Sequence, residues 1–224
     1  MNVRPLSGHA EFAEAVRLQK LIWGFDDLEL LPVRLFIVAS RIGGQTLGAF
    51  DGSRMAGFLL AIPGIKRDSG VAYLHSHMLG VVSDYRDAGV GRMLKLAQRD
   101  DAAARGIPLI EWSFDPFEAK NAYFNLEVLG AMVRAYVPDM YGLRTSMLDG
   151  DLPTDRCIAE WWLNETRPKP PVIARVSLPP QKTRESQALL GRELQRHFAD
   201  GLAMTGFERS GDSGAYLLSP WPSK

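Results

Sequence analysis

The segment Val81-Val-Ser-Asp-Tyr-Arg86-Asp-Ala-Gly89-Val-Gly91-Arg92 constrains this chain more than any other, because it reads as a buried strand that turns through a glycine-rich loop directly into a helix. Gly89 and Gly91 tolerate backbone angles and a closeness of approach that a Cβ forbids. The first N–H groups of the helix lack partners inside it and carry the positive end of its dipole. Together they form a cradle for an anion such as a pyrophosphate. The spacing Arg-x-x-Gly-x-Gly matches neither the G-x-x-x-x-G-K-[ST] loop of nucleoside triphosphatases nor the G-x-G-x-x-G loop of dinucleotide folds.

Context singles out this loop. A second run, Arg67-Asp-Ser-Gly70-Val-Ala72, satisfies a relaxed form of the pattern with alanine last. It follows Ile65-Lys66 and leads into the strand-like Ala72-Tyr-Leu-His-Ser, so no helix N-terminus stands behind it and it reads as a plain turn.

Composition bounds the rest. The chain has 224 residues, 46% of them hydrophobic, enough for a real core in one large domain or in a domain with an appendage. A formal net charge of zero offers no electrostatic case for a nucleic-acid partner or an anionic membrane. The only cysteine, Cys157, permits no intrachain disulfide and no cysteine metal cluster, so no metal is expected and a reducing cytoplasm suits the chain. The start, Met1-Asn-Val-Arg-Pro5, has no apolar run with a cleavage site, and no apolar segment approaches the ~20 residues that span a bilayer. Neither a signal peptide nor a membrane partner is expected.

Periodicity supplies the element order. Asn2–Leu6 reads as a strand, Glu11–Trp23 as a helix with Phe12, Ala15, Val16 and Ile22 at helical spacing, and Pro32–Ile42 as a helix stopped by Gly43-Gly44. Thr46–Phe50 and Ala56–Ile62 form a hairpin around Asp51-Gly52-Ser53, with Pro63-Gly64 closing its second strand, and Tyr73–Val82 follows as a long strand. The helix after the loop presents Val90, Met93, Leu94 and Ala97 on one face, with Arg92, Lys95, Arg99 and Asp100 elsewhere, until Gly106-Ile-Pro108 stops it. Leu109–Phe114 is a strand. Asp115-Pro116-Phe117-Glu118 reads as a capped start for a helix Pro116–Leu129 that ends at Gly130, and Ala131–Val137 is a further strand. This alternation implies an α/β sheet with a mixed middle.

That order over residues 1–145, with the glycine loop in its place, resembles the GNAT N-acetyltransferase superfamily. A tighter similarity, to an uncharacterised GNAT-related branch, runs through His75-Ser-His77-Met-Leu79, Leu94-Lys-Leu-Ala-Gln98-Arg99, Trp112-Ser-Phe-Asp115-Pro116 and Asn121-Ala-Tyr-Phe-Asn125 to Gly130, and on to Tyr141-Gly142, Leu152–Arg156 and Glu160-Trp161. The resemblance implies a mixed central sheet flanked by helices, with a C-terminal α/β extension over 146–224. It implies acetyl-CoA or another acyl-CoA as co-substrate, its pyrophosphate on Arg86, Asp87, Ala88, Gly89, Val90, Gly91 and Arg92. The pantetheine arm would then lie in a gap between splayed strands Tyr73–Val82 and Leu109–Phe114, beside Leu79 and Val81, with Asn121 touching it. One departure stands out: where many family members place a tyrosine four residues before the closing glycine, this chain has Leu126. Tyr123, Tyr136 and Tyr141 fall at other spacings, which leaves another group, a water, or departure of the thiolate as such.

Attack of an amine on a thioester requires a neutral amine held near the carbonyl and a backbone N–H that meets the oxyanion; in the geometry that the resemblance implies, the backbone around Leu79–Val81 is the natural donor. For the base, His75 and His77 alternate with Leu74, Ser76 and Met78, so both share the face that Leu79 and Val81 use. His77 lies nearer the loop, and its ordinary pKa of about 6.5 suits proton transfer; the alternative is a core histidine bonded to backbone. Glu111 and Asp115 are the other candidate bases, and Asp115 as a helix cap would contribute about 1 kcal/mol. Trp112 reads as packing.

Residues 146–224 differ in texture. Arg156–Leu163, with Trp161 and Trp162 facing opposite ways, reads as a strand, Asn164–Pro171 as a linker-like break, Val172–Leu178 as a strand, Arg184–Gly201 as a helix and Ala215–Ser219 as a closing strand, a βαβ-like tail. The tail walls the acceptor site or makes a homodimer contact; both stay open. The function expected is N-acyl transfer from an acyl-CoA to a small-molecule amine, an amino acid or derivative among them. Its rivals are a non-catalytic acyl-CoA-sensing module, a protein N-acetyltransferase with an open groove, and a structural α/β protein whose glycines only turn the chain. Replacing Gly89 by valine is expected to abolish coenzyme A binding in calorimetry, whereas the same change at Gly70 leaves it; equal losses would identify the wrong loop.

Overall fold

The computed structural model describes residues 1–142, 152–163 and 170–221. They divide into two compact units, the first Met1–Ile110 and the second beginning at Glu111, with the boundary inside one strand. The boundary at 145/146 drawn from composition, and positions 164–169 of the proline-rich break, lie outside the described residues.

The first unit runs β1 (Asn2–Pro5), α1 (Gly8–Trp23), α2 (Val33–Arg41), β2 (Gln45–Asp51), β3 (Arg54–Ile65), β4 (Ala72–Val81) and α3 (Val90–Ala104), then enters β5 (Leu109–Phe114). Strands β1 to β4 pair in sequence order, each antiparallel to the next. Alternation along β3 sends Phe58 and Leu60 to one face, where Phe12, Leu18 and Phe36 of α1 and α2 bury them. Leu59 and Ala61 take the other face, which α3 covers. Gly52, with φ +58°, makes the tight β2–β3 turn.

Two expectations change here. Pro63-Gly64 does not close β3: the strand continues to Ile65, pairing Pro63 with Leu74 and Gly64 with Tyr73. Its β2 pairing ends at Ala61, so Pro63, which has no N–H to donate, occupies a stretch where β2 asks for none. On α3 the buried residues include Lys95 and Gln98, not only the apolar stripe.

In the second unit β5 leads to α4 (Ala119–Tyr123), which passes directly into a π-helical turn, Phe124–Val128. β6 (Met132–Val137), β7 (Arg156–Trp162), β8 (Ala174–Ser177), α5 (Arg184–Ala199), β9 (Leu202–Ser210) and β10 (Ser213–Pro220) follow. The strands run β7-β6-β9-β10-β8 with antiparallel pairing. The helix expected from Pro116 starts three residues later, because the Asp115 carboxylate accepts the Phe117 N–H and closes a turn in place of a cap. The tail is βαββ rather than βαβ: between the expected helix Arg184–Gly201 and the expected closing strand lies a further strand, Leu202–Ser210, which forms a hairpin with β10. Trp161 packs edge-on against Trp112 at 6.3 Å, while Trp162 lies half-buried with its indole N–H on Glu160. No helix among the described residues is long and apolar enough to cross a membrane.

Gly80 in β4 presses against α1; a Cβ there would stand 2.8 Å from both Ile22 Cδ1 and Trp23 Cη2. Gly80→Ala is expected to destabilise the protein by about 1–3 kcal/mol, read from urea unfolding, because the rigid indole has to move.

Candidate functional site

The end of β4 and the start of α3 are built from local rules. After Val81 a single 3-10 turn, Ser83–Tyr85, is braced by Arg54 on Asp84 at 2.7 Å and by the Tyr85 hydroxyl on Asp51 at 3.0 Å. The exposed loop that follows holds two left-handed residues, Asp87 (φ +60°) and Gly89 (φ +79°). For Asp87 that conformation costs about 1 kcal/mol or more, a strain of the kind that collects at binding loops. Gly89 is the N-cap of α3 and supplies no side-chain acceptor, no acidic residue lies in the first turn, and the first intrahelical bond is Met93 N–H to Gly89 O at 3.0 Å. The N–H groups of Val90, Gly91 and Arg92 therefore head the helix with its dipole behind them. Buried Val90 anchors the turn, and Arg86, Asp87, Ala88 and Arg92 are exposed around it.

Gly91 provides the test of fit for an acyl-CoA pyrophosphate. A Cβ built there would lie 3.6 Å from Leu79 and 3.9 Å from Val81, ordinary contact distances, and Gly91 has no positive φ. Nothing among the described residues requires glycine at this point, and its lack of a side chain leaves the helix end bare for a ligand to approach. Gly70, φ +69°, turns the chain between β3 and β4 with no helix behind it. Because Gly70 and Gly89 are both left-handed, valine strains the backbone similarly at either one, and only ligand binding separates the two substitutions.

β4 carries a bulge. Met78 pairs with Leu60 and Ser76 with the next residue, Ala61, so His77 is the extra residue. The bulge reverses side-chain parity. Ser76, Leu79 and Val81 face α3, whereas Met78 and Gly80 face α1. The expectation that His75 and His77 share a face with Leu79 and Val81 is thereby corrected: His75, one residue before Ser76, points to the opposite side. His77 is exposed at the bulge, its ring 5.8 Å from that of His75. Burial, and secondarily the charges of Lys95 and Lys66, hold His75 below the ordinary imidazole range.

The periodicity reading missed a buried polar network behind the bulge. Lys95 Nζ donates to Ser76 Oγ at 2.9 Å and to Gln98 Oε1 at 3.1 Å; Gln98 Nε2 donates to Gln45 Oε1 at 3.0 Å. Burial pulls the Lys95 amine well below its usual range. Gln98 stands at i+4 from Leu94 and i+8 from Val90, a spacing that could have flagged it as buried.

In the second unit, Glu111 is buried in β5. Asp115 takes Lys182 Nζ at 2.5 Å and lies 4.0 Å from Arg156, so two cations and the Phe117 N–H occupy its carboxylate. Asn121 is exposed on α4. Leu126 is buried within the π-helical turn, 1% exposed. Of the phenols, Tyr123 is 41% exposed on α4, Tyr141 shares a hydrogen bond with Ser113 Oγ at 2.7 Å, and Tyr136 has its pKa raised by burial first and then by the hydrogen bond it donates to Asp155.

No family model and no curated protein matches the chain. Solved structures do. The ribosomal-protein-S18-alanine N-acetyltransferase of Escherichia coli matches with a TM-score of 0.55 at 15% identity, over 74% of this chain and 96% of its own. An aminoglycoside 6'-acetyltransferase type Ii matches at 0.57 and 19%, over 75% of this chain and all 100% of its own. The NatC complex bound to Gag peptide and CoA matches at 0.55 and 16%, over 72% and 98%. The fold is that of the GNAT N-acetyltransferases.

His75 sets a pH dependence. Its folded-state pKa is lowered, so below about 6.5 the unfolded chain takes up a proton that the folded one resists, and stability falls with pH. His75→Gln is expected to flatten this acid limb, seen as a smaller shift of the urea midpoint between about pH 7.5 and pH 5 than in the parent protein.

Proposed function

We propose that the chain is an N-acyltransferase that moves an acetyl or other short acyl group from coenzyme A to the amine of a small molecule, an amino acid or derivative among the candidates. The observation that carries this reading is the bare N-terminus of α3, reached through a strained loop at the end of a bulged strand. The backbone N–H groups of Asp87 to Arg92 would hold the pyrophosphate, and the edge of β4 at Leu79 and Val81 would lie along the pantetheine. The acyl-CoA supplies an activated carbonyl when bound. The backbone N–H groups past the bulge are the donors for the oxyanion that forms as the amine nitrogen adds to that carbonyl carbon. As the C–S bond breaks the thiolate leaves, and the proton lost by the amine passes to His77, directly or through water. The exposure of His77 suits exchange of that proton with solvent. The lone buried Cys157 and zero net charge accord with a cytoplasmic protein acting on free small molecules.

The matched structures are named for acceptors as different as a ribosomal protein and an aminoglycoside, so the acceptor has to be found by experiment. Acetyl-CoA and succinyl-CoA offered with amino acids, polyamines, aminoglycosides and short peptides, with free thiol as the readout, should give turnover with a small amine. Turnover only with peptides would favour the protein-modifying alternative, and binding without turnover the sensing module. With an acceptor found, His77→Ala should lower kcat about a hundredfold while coenzyme A affinity stays within about a few-fold; an unchanged kcat would remove His77 from the mechanism.

A further inference from the structure

A helix that packs on a sheet normally presents an apolar stripe, since polar atoms taken out of water lose hydration that only well-formed hydrogen bonds replace. α3 does otherwise. Between Leu94 and Ala102 it turns Lys95, 3% exposed, and Gln98, 0% exposed, into the sheet. The network they form has an end on each of two strands. At β2, Gln45 Nε2 donates back to the Gln98 carbonyl at 2.9 Å and to Asp101 at 2.6 Å. At β4, the lysine grips Ser76, the residue immediately before the bulge.

The grip matters because a bulge is a choice of register. With His77 as the extra residue, Ser76 and Leu79 face α3 together, although three residues apart in a strand they would otherwise face opposite ways. Were the extra residue absorbed elsewhere, every side chain in between would change face, and the backbone N–H groups at the bulge would move with it. A buried lysine amine that finds its hydroxyl partner in only one of these registers penalises the rest, a role in which buried polar groups are best attested. A methionine at 95 would pack against the same strands and enforce nothing.

Resting on the acyltransferase reading above, we propose that Lys95 is a positioning residue: through Ser76 it locks the β4 bulge at His77 to the helix whose N-terminus receives the pyrophosphate, so that the acyl carbonyl meets the N–H groups of Met78 and Leu79 in a single register. Its part is to tie β4 to α3 through Ser76.

The test uses the full-length protein and the variants Lys95→Met, Ser76→Ala and Ser76→Thr, the last of which keeps the hydroxyl. Coenzyme A binding by calorimetry should stay within about threefold of the parent in all of them, because the loop amides are untouched. In 15N-labelled protein, the amide shifts of Met78 and Leu79 should differ between the coenzyme A and acetyl-CoA complexes of the parent and of Ser76→Thr. That acetyl-dependent difference should vanish in Lys95→Met and Ser76→Ala, and acetyl transfer should fall by about tenfold or more. If the acetyl-dependent shift and the turnover persist in both disrupting variants, Lys95 is ordinary packing and the proposal fails while the acyltransferase reading stands. A parent protein that binds no coenzyme A overturns that reading and this proposal with it. Should Lys95→Met fail to fold, Ser76→Ala alone decides, since it removes only one oxygen.

Discussion

The extra residue at His77 is the constraint on which the first unit depends. A regular antiparallel pairing of β3 with β4 would satisfy the backbone of both strands and keep one parity from Ala72 to Val81. Inserting one residue leaves part of the β4 backbone outside the ladder and reverses the parity. Either consequence alone would be a defect. Together they put Met78 and Gly80 under α1, where the core needs a flexible chain and a bare backbone, and Leu79 and Val81 under α3, where the helix start must be supported without being covered. The bulge is therefore what lets one strand serve both a packed core and an open helix end.

The same logic explains why the α3 interface contains polar groups. Hydrophobic packing is tolerant of small slides, because a leucine is nearly as well buried one residue along. A hydrogen bond from Lys95 to Ser76 is not, and the Gln98–Gln45 pair adds a second point of registration on β2. Taking a lysine amine out of water is costly, and the hydrogen bonds to Ser76 and Gln98 offset part of that cost. His75 lies on the far face of β4, where burial and secondarily Lys95 and Lys66 lower its pKa.

The second unit solves a different problem. β5 ends at Phe114, and the carboxylate of the next residue, Asp115, is held by Lys182, by Arg156 and by the Phe117 N–H, so the turn into α4 is clamped by charge and needs no helix cap. The π-helical turn then widens the helix just where Asn125 accepts the Trp112 indole N–H and Glu127 accepts the Phe207 N–H of β9, side-chain bonds that a regular α-helical turn would aim elsewhere. Tyr136, Asp155, Cys157 and Tyr216 lie buried nearby, and burial keeps the two phenols and the thiol protonated. They are fixed in place rather than poised to react.

The sequence by itself determined the elements whose signals are local. Strand, glycine loop and helix at Val81–Arg92, the Gly52 hairpin and the order of elements through Val137 follow from turn chemistry and periodicity, which act over a few residues. From them the fold class and the loop that would receive a pyrophosphate were legible. Only the tertiary structure decided the bulge, because a one-residue slip between β3 and β4 leaves no trace in either strand's own pattern and arises from pairing across the sheet. It also decided that Lys95 and Gln98 are buried, since their partners, Ser76 and Gln45, are distant in sequence. Asp115 shows the same division: its type and the following proline announce a turn or cap, but whether the carboxylate is open to a substrate or closed by Lys182 depends on a residue 67 positions away.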